Sequence, residues 1–301
     1  MLDIFVQMYN TLANITPQAL FGQLLLGLIN GAFYAMLSLG LAVIFGMLNV
    51  INFTHGAQYM MGAFAAWLLL GHIGIPFWLA LVVAPVIVGL IGVIIERVML
   101  RRLYHLDHLY GFLLTFGLAT MIEGLFQWRW GSSGAPYPSP IPGGTNLGFM
   151  FMPYYRGFVV LAALVICLAT WYGIERTRLG GYLRAATENP TLVRAFGINV
   201  PRLITLTYGL GVGLAALAGV LAAPIQQVSA LMGQSLVLIV FAVVVIGGMG
   251  SIMGSIITGF GLGLVEGFTK VIYPPASNTV IFVIMALVLL IKPAGLFGQT
   301  K

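Results

Sequence analysis

Charge is what this 301-residue sequence has least of. Only 7% of its residues are Asp, Glu, Lys or Arg, against roughly 25% in soluble domains. None occurs from Ile4 to Ile95, a run of 92 residues, or from Leu203 to Val265, a run of 63. That excludes a soluble globule. Cysteine is nearly absent too: Cys167 stands alone, which rules out an internal disulfide or a Cys-based metal site. Residues 1–20 carry no Lys or Arg, so the basic start of a cleaved signal peptide is missing and the first apolar segment is expected to remain as an anchor. The three lysines (Lys270, Lys292, Lys301) never follow glycine, so no Walker A phosphate loop exists. No His-Glu-x-x-His or paired-Asp motif appears, which argues against an enzyme and against bound metal or cofactor. The formal charge of +6 sits in a few loops rather than in a patch suited to nucleic acid. Ten-residue alternating strands are also lacking, which disfavours a β-barrel.

What is present is apolar: 60% of the chain. A bilayer-spanning helix needs about 20 apolar residues, and apolar segments run over 20–48, 51–71, 76–96, 109–127, 157–174, 203–223, 235–266 and 277–291. The pattern predicts an all-α polytopic membrane protein, one transmembrane domain over 1–301, with about eight spanning segments. Loops 97–108 and 175–202 hold the arginines, whereas loop 128–156 is neutral in its middle and punctuated by Pro136, Pro138, Pro140 and Pro142. Because cytoplasmic loops collect Lys and Arg, the first two are assigned inside and the third outside. Eight simple crossings would then put both termini on one side, so one segment must be double or re-entrant. Segment 235–266 is the candidate, broken at Gly247-Gly248-Met249-Gly250-Ser251; segment 20–48 is also too long to cross without tilt or a break. A faint likeness between 41–64 and 241–260 hints at duplicated halves with broken helices, without establishing them.

Three features carry a functional signal. Glycines number 39, nearly twice the average of about 7%, and recur four apart (Gly27 and Gly31, Gly259 and Gly263), as close helix packing requires. A polar patch, Asn52-Phe53-Thr54-His55-Gly56 with Gln58, interrupts the longest charge-free run. It either lines a translocation path or forms a turn in which His55 is satisfied by a backbone carbonyl. Candidate path residues are Asn30, Asn52, Thr54, His55, Gly247, Gly248 and Ser251. Glu96, Glu123 and Glu266 fall near expected helix ends, leaving the deep membrane short of the carboxylates a proton-coupled carrier or channel acting alone would use.

The third feature is the basic loop 175–202. Asn189-Pro190 reads as an N-cap followed by proline at the first helical position, and Gly197 as a left-handed C-terminal cap. Tyr182–Thr187 is expected to form another turn or two after a flexible Gly180-Gly181. Leu192 and Phe196, four apart, share one helix face. Either the loop docks a partner protein through that face, or it is an ordinary positive-inside loop.

The stretch Gly40–Gly62 with Ile51-Asn52-Phe53-Thr54-His55-Gly56 resembles the permease subunits of branched-chain amino acid ABC importers, the LivH type. So do Thr177-Arg178-Leu179-Gly180, Leu183-Arg184-Ala185, Glu188-Asn189-Pro190, Gly197-Ile198-Asn199, the Gly247–Ser251 element, and Lys292-Pro293 with Gly295-Leu296-Phe297-Gly298. The resemblance covers about residues 20–298. Thr54 stands where the family often has Ala, Gly181-Tyr182 replace a commoner basic-small pair, Met253 stands where Pro is frequent, and Ile239 where many members carry Lys. The resemblance implies a multi-pass subunit of the bacterial inner membrane, paired with a second, LivM-like permease subunit or a second copy of itself. It further implies two cytoplasmic ATPases that hydrolyse the ATP, so that no cofactor is bound by this chain, and an external binding protein delivering leucine, isoleucine or valine. Related systems handle other amino acids, urea, amides or aromatic acids. ATPase contacts are implied for Gly180, Arg184, Ala185, Glu188, Asn189, Leu192, Arg194, Phe196, Gly197 and Ile198.

Overall fold

The computed structural model describes residues 16–48 and 52–298. Asp3 and the rest of the first 15 residues, Ile51 of the polar motif and Lys301 lie outside the described residues. Eleven α-helices order the described chain: α1 Pro17–Leu48, α2 Thr54–Leu68, α3 Phe77–Val98, α4 His108–Trp130, α5 Tyr154–Glu175, α6 Arg178–Glu188, α7 Pro190–Ala195, α8 Val200–Ala222, α9 Gln234–Gly247, α10 Ile252–Ile272 and α11 Thr279–Ile291. Six of these, α1, α3, α4, α5, α8 and α10, are long and apolar enough to cross a membrane, and α9 and α11 are shorter apolar helices. A π-helical turn, Leu69–Ile73, extends α2 and closes on Gly74.

Helix α1 is the axis of the bundle, buried along most of its length. It is one continuous 32-residue helix, about 48 Å long at 1.5 Å per residue. The break that its length suggested is therefore absent. Its partner α10 runs antiparallel, joined through paired small residues. A methyl group at Gly263 would lie 2.4 Å from the Gly27 carbonyl, and one at Gly259 would lie 2.6 Å from the Ala35 Cα. Backbones this close maximise van der Waals contact between helices that no hydrophobic force drives together in lipid. The same logic sets Gly62 of α2 on Ala216 of α8, and Gly92 of α3 on Val212 of α8.

Segment 235–266 is double, as its length and glycines require. Helix α9 ends at Gly247, Gly248 and Gly250 adopt φ of 101° and 85°, and Ser251 caps α10 by accepting from the Gly254 N–H at 3.1 Å. The C-terminal segment completes this turn: Leu296 N–H donates to the Ile246 carbonyl at 2.8 Å and Phe297 N–H to that of Gly247 at 3.1 Å. At the opposite end of the bundle the proline-rich loop carries a small antiparallel hairpin, β1 Gly144–Asn146 with β2 Phe151–Pro153.

Two expectations need correction. Gly180-Gly181 is not a flexible linker; both lie inside α6, which starts at Arg178. Gly180 is there because a Cβ would strike the Ile174 carbonyl at the end of α5, 1.5 Å away. Nor do all three glutamates sit at helix ends. Glu96 does, but Glu123 and Glu266 lie seven and six residues inside the C-terminal ends of α4 and α10.

Candidate functional site

The polar patch is built where two helices begin. The imidazole of His55, at the start of α2, meets the Leu37 carbonyl at 2.9 Å. Leu37 lies eleven residues, or about 16 Å, from the C-terminal end of α1, so α2 starts beside the interior of α1 rather than at its end. Helix α9 starts at the same point: a Cβ on Gly233 would lie 2.0 Å from the Gly56 carbonyl. The two helices then diverge. Helix α2 follows α4, with Phe53 against Phe112 at 4.9 Å between ring centroids and Phe64 against Phe126 at 4.9 Å. Helix α9 follows α1 toward its C-terminal end, where Gly250 meets Gly46. Two short helices thus turn their N-termini, the positive ends of their dipoles, toward one point inside the bundle. Discontinuous helices of this kind mark the binding region of many transporters.

Inside the patch the polar groups bond mainly to one another. Thr54 Oγ1 donates to Asn52 Oδ1, Asn52 Nδ2 donates to Gln58 Oε1 at 3.1 Å, and Gln58 Nε2 donates to Thr54 Oγ1 at 3.1 Å. Asn52, Thr54, His55 and Gln58 are all buried, and His55 Nδ1 has no hydrogen-bond partner among the described residues. The backbone-carbonyl reading of His55 therefore holds for Nε2.

The seven candidate path residues do not form one cluster. Gly247, Gly248 and Ser251 lie at the depth of Gly46, nine residues or about 14 Å along α1 from Leu37, where the C-terminal segment packs on them. Asn30 lies on the other side of Leu37, where its Nδ2 points at Glu266 Oε1, 3.5 Å away. That carboxylate also accepts from Tyr34 at 2.7 Å and pairs with Lys270. The network escaped sequence reasoning because Glu266 was placed at a helix end; its i,i+4 spacing to Lys270 was the available signal.

The basic loop folds into a compact element. Asn189 Oδ1 accepts from the Leu192 N–H at 2.9 Å, capping α7, and Gly197 at φ 82° closes it. Leu183, Ala186 and Val193 form a small core with Val200 and Leu203 of α8, against which Ile198 packs. The element is thereby fixed to the first turn of α8. Arg184 ties it to α5 through Glu175 at 3.2 Å and the Ile174 carbonyl at 3.3 Å. Leu192 and Phe196 remain outside, 54% and 77% exposed. They flank a groove of about 440 Å³ that Ala185, Glu188 and Asn189 also line, and Tyr182, which sequence reasoning assigned no role, forms part of its wall. Arg194 is exposed beside it.

A second network fixes the neighbouring loop. Glu96, wholly buried, accepts from Arg101 at 3.3 Å, Tyr104 at 3.0 Å and Thr205 of α8 at 2.8 Å, while Arg101 also reaches the Pro201 carbonyl at 3.2 Å. Burial and the adjacent Glu96 carboxylate push the Tyr104 phenol above its ordinary range.

Six helices long and apolar enough to cross a membrane, two short helices meeting inside the bundle, and a capped helix pair on the arginine-rich end together describe a multi-pass membrane protein. The chain belongs to the family described as "Branched-chain amino acid transport system / permease component", whose model matches residues 23–291. It is 27% identical over 294 residues to the high-affinity branched-chain amino acid transport system permease protein BraD of Pseudomonas aeruginosa, covering 93% of this chain and 96% of that one. It is 28% identical over 294 residues to the corresponding protein LivH of Escherichia coli, with the same coverage. To LivM of Escherichia coli, the identity is 26% over 302 residues, 89% of this chain and 68% of that one. Among solved structures, PsaBC from Streptococcus pneumoniae in complex with Fab shares the fold, with a TM-score of 0.50 at 13% identity over 95% of this chain and 94% of that one.

Proposed function

We propose that this chain is one permease subunit of an ATP-binding-cassette importer in the bacterial inner membrane, forming half of a path for leucine, isoleucine or valine. A LivM-like subunit supplies the other half, an external binding protein delivers the substrate, and two cytoplasmic ATPases bind and hydrolyse the ATP, so that this chain itself holds no nucleotide. With the arginine-rich end inside, α1 descends, α2 ascends from mid-depth, and the remaining spans alternate until α11 descends. The amino terminus is then outside and the carboxyl terminus inside.

The observation that carries this reading is the capped helix pair α6–α7. It is packed firmly enough on α5 and α8 to transmit force, yet it leaves Leu192 and Phe196 bare beside an open groove. A solvated loop gains nothing from an exposed aromatic, whereas a docking element does. Gly180, Ala185, Asn189, Gly197 and Ile198 hold its shape; Glu188 and Arg194 lie beside its apolar centre, and Arg184 fastens it to α5. When the ATPases close, the pair moves α5 and α8. The junction of α2 and α9 then opens, so that Asn52, Thr54 and His55 border the path, with Asn30 toward its outer end and the Gly247–Ser251 turn toward its inner end.

The test is co-purification with the two ATPases. Truncating a buried aromatic anchor costs about 2 kcal/mol or more, roughly thirtyfold in affinity. Phe196→Ala is therefore expected to lose ATPase binding and to uncouple hydrolysis from uptake, while Arg156→Ala at the opposite end leaves both intact. Wild-type binding and coupling in Phe196→Ala would remove the docking assignment.

A further inference from the structure

Beneath the helix pair, on the side turned away from its docking groove, lies an apolar cleft of about 370 Å³. Val43 of α1 and Gly173 of α5 form its floor, Leu179 and Leu183 of α6 its roof, and Leu206 and Leu210 of α8 one wall. Leu179, Leu206 and Leu210 are 48%, 65% and 48% exposed, so the cleft is open along its flank. Arginines stand next to its lining residues on the helices that bound it. Arg202, Leu206 and Leu210 follow one another at four-residue spacing and share one face of α8. Arg176 lies three residues beyond Gly173, and Arg178 adjoins Leu179 in the first turn of α6. All three arginines are exposed, and none is paired with a carboxylate among the described residues. Arg176 instead lies over the Trp171 ring, 5.8 Å from its centroid.

We propose that this cleft holds one anionic phospholipid of the cytoplasmic leaflet, its acyl chain along Gly173, Leu206 and Leu210 and its phosphate beside Arg178 and Arg202. Charge complementarity decides the occupant. An apolar slot bordered by Arg178 and Arg202, neither with a counter-ion among the described residues, fits a molecule that is apolar at one end and anionic at the other. A protein helix would have to bring several carboxylates to the membrane surface to do the same. Guanidinium groups bind phosphate through paired hydrogen bonds, and basic pockets between spans on the cytoplasmic side recognise acidic head groups. The lipid would lie under α6, between the docking element and the spans, and so stiffen the joint through which that element acts. The proposal goes beyond the importer reading and depends only on the basic end meeting the membrane surface.

The test uses the full chain purified in mild detergent and analysed by native mass spectrometry, then returned to nanodiscs of phosphatidylglycerol or phosphatidylcholine. Wild type is expected to retain one phospholipid and to prefer phosphatidylglycerol by about tenfold. Gly173→Leu should expel it by filling the slot; nothing lies within 4 Å of a Cβ there, so the fold has room for the new side chain. Arg178→Gln with Arg202→Gln should keep the lipid and lose the preference for phosphatidylglycerol. The thermal midpoint in detergent reports whether each variant is folded. Equal retention by Gly173→Leu and wild type would overturn the proposal. So would displacement of the lipid by inorganic phosphate alone, or efficient crosslinking of Leu206→Cys to another protein subunit in the native membrane.

Discussion

Glu96 and Thr205, 109 positions apart in the sequence, share a buried hydrogen bond of 2.8 Å. It ties the end of α3 to the second turn of α8, and Arg101 closes over it from the intervening loop. Removing Arg101 leaves a buried carboxylate with neutral partners only. A hydrogen bond to a charged group contributes about 1.5–3 kcal/mol; because Arg101 is 39% exposed, the loss is expected near the low end. Arg101→Ala should lower the thermal midpoint in detergent, with Arg102→Ala, exposed beside it, as a neutral control.

The same network sets an alkaline limit. Tyr104 keeps its proton more tightly when folded than unfolded, because burial and Glu96 disfavour the phenolate. Its contribution to stability is therefore complete below the unfolded value of about 10 and is lost as pH rises above it. Tyr104→Phe should flatten the decline in thermal midpoint above pH 10 and leave neutral pH less affected. An unchanged slope in Tyr104→Phe would assign the decline to other groups.

Two glycines in one helix give a clean contrast. A Cβ at Gly263 would strike the Gly27 carbonyl and Gly31 at 2.4 Å, whereas one at Gly261 meets nothing within 4 Å. Overpacking costs about 1–3 kcal/mol, while glycine to alanine in an open helical position gains up to about 1 kcal/mol. Gly263→Ala should lower the thermal midpoint and Gly261→Ala should hold or raise it.

For the polar patch the expected outcome is a transport defect in an assembled protein. Asn52→Leu removes the partner of both Gln58 and Thr54, so the junction of α2 and α9 should close less specifically. Uptake should fall while ATPase association stays normal. Normal uptake, or failure to assemble, would reduce the patch to packing.

Gly180→Val separates docking from anchoring. Its Cβ would collide with the Ile174 carbonyl, tearing α6 from α5 while leaving Leu192 and Phe196 in place. ATPase binding should survive better than coupling, the reverse of the ratio expected for Phe196→Ala.

Features written in local chemistry were legible before the fold was known. Asn189-Pro190 and Gly197 bound a helix by their own backbone preferences, and Gly247–Gly250 cannot sustain one. Leu192 and Phe196 declared a shared face through spacing alone. What stayed hidden depends on partners distant in sequence. Gly27 and Gly263 each announce a close approach but not to which helix. Glu266 looked peripheral because nothing nearby marks Tyr34 and Asn30 as its neighbours. The path candidates were grouped by polarity and glycine content, which carry no information on depth; α1 supplies that scale and spreads them along its length.

The hydrogen bonds that Leu296 and Phe297 make to Ile246 and Gly247 also impose an order on synthesis. Two carbonyls at the end of α9 have no main-chain partner until a stretch fifty residues later has left the ribosome. A nascent chain can insert its earlier spans and still hold this turn open. Chains that end prematurely, even just short of Leu296, would keep every spanning segment yet expose two dry acceptors at the membrane edge.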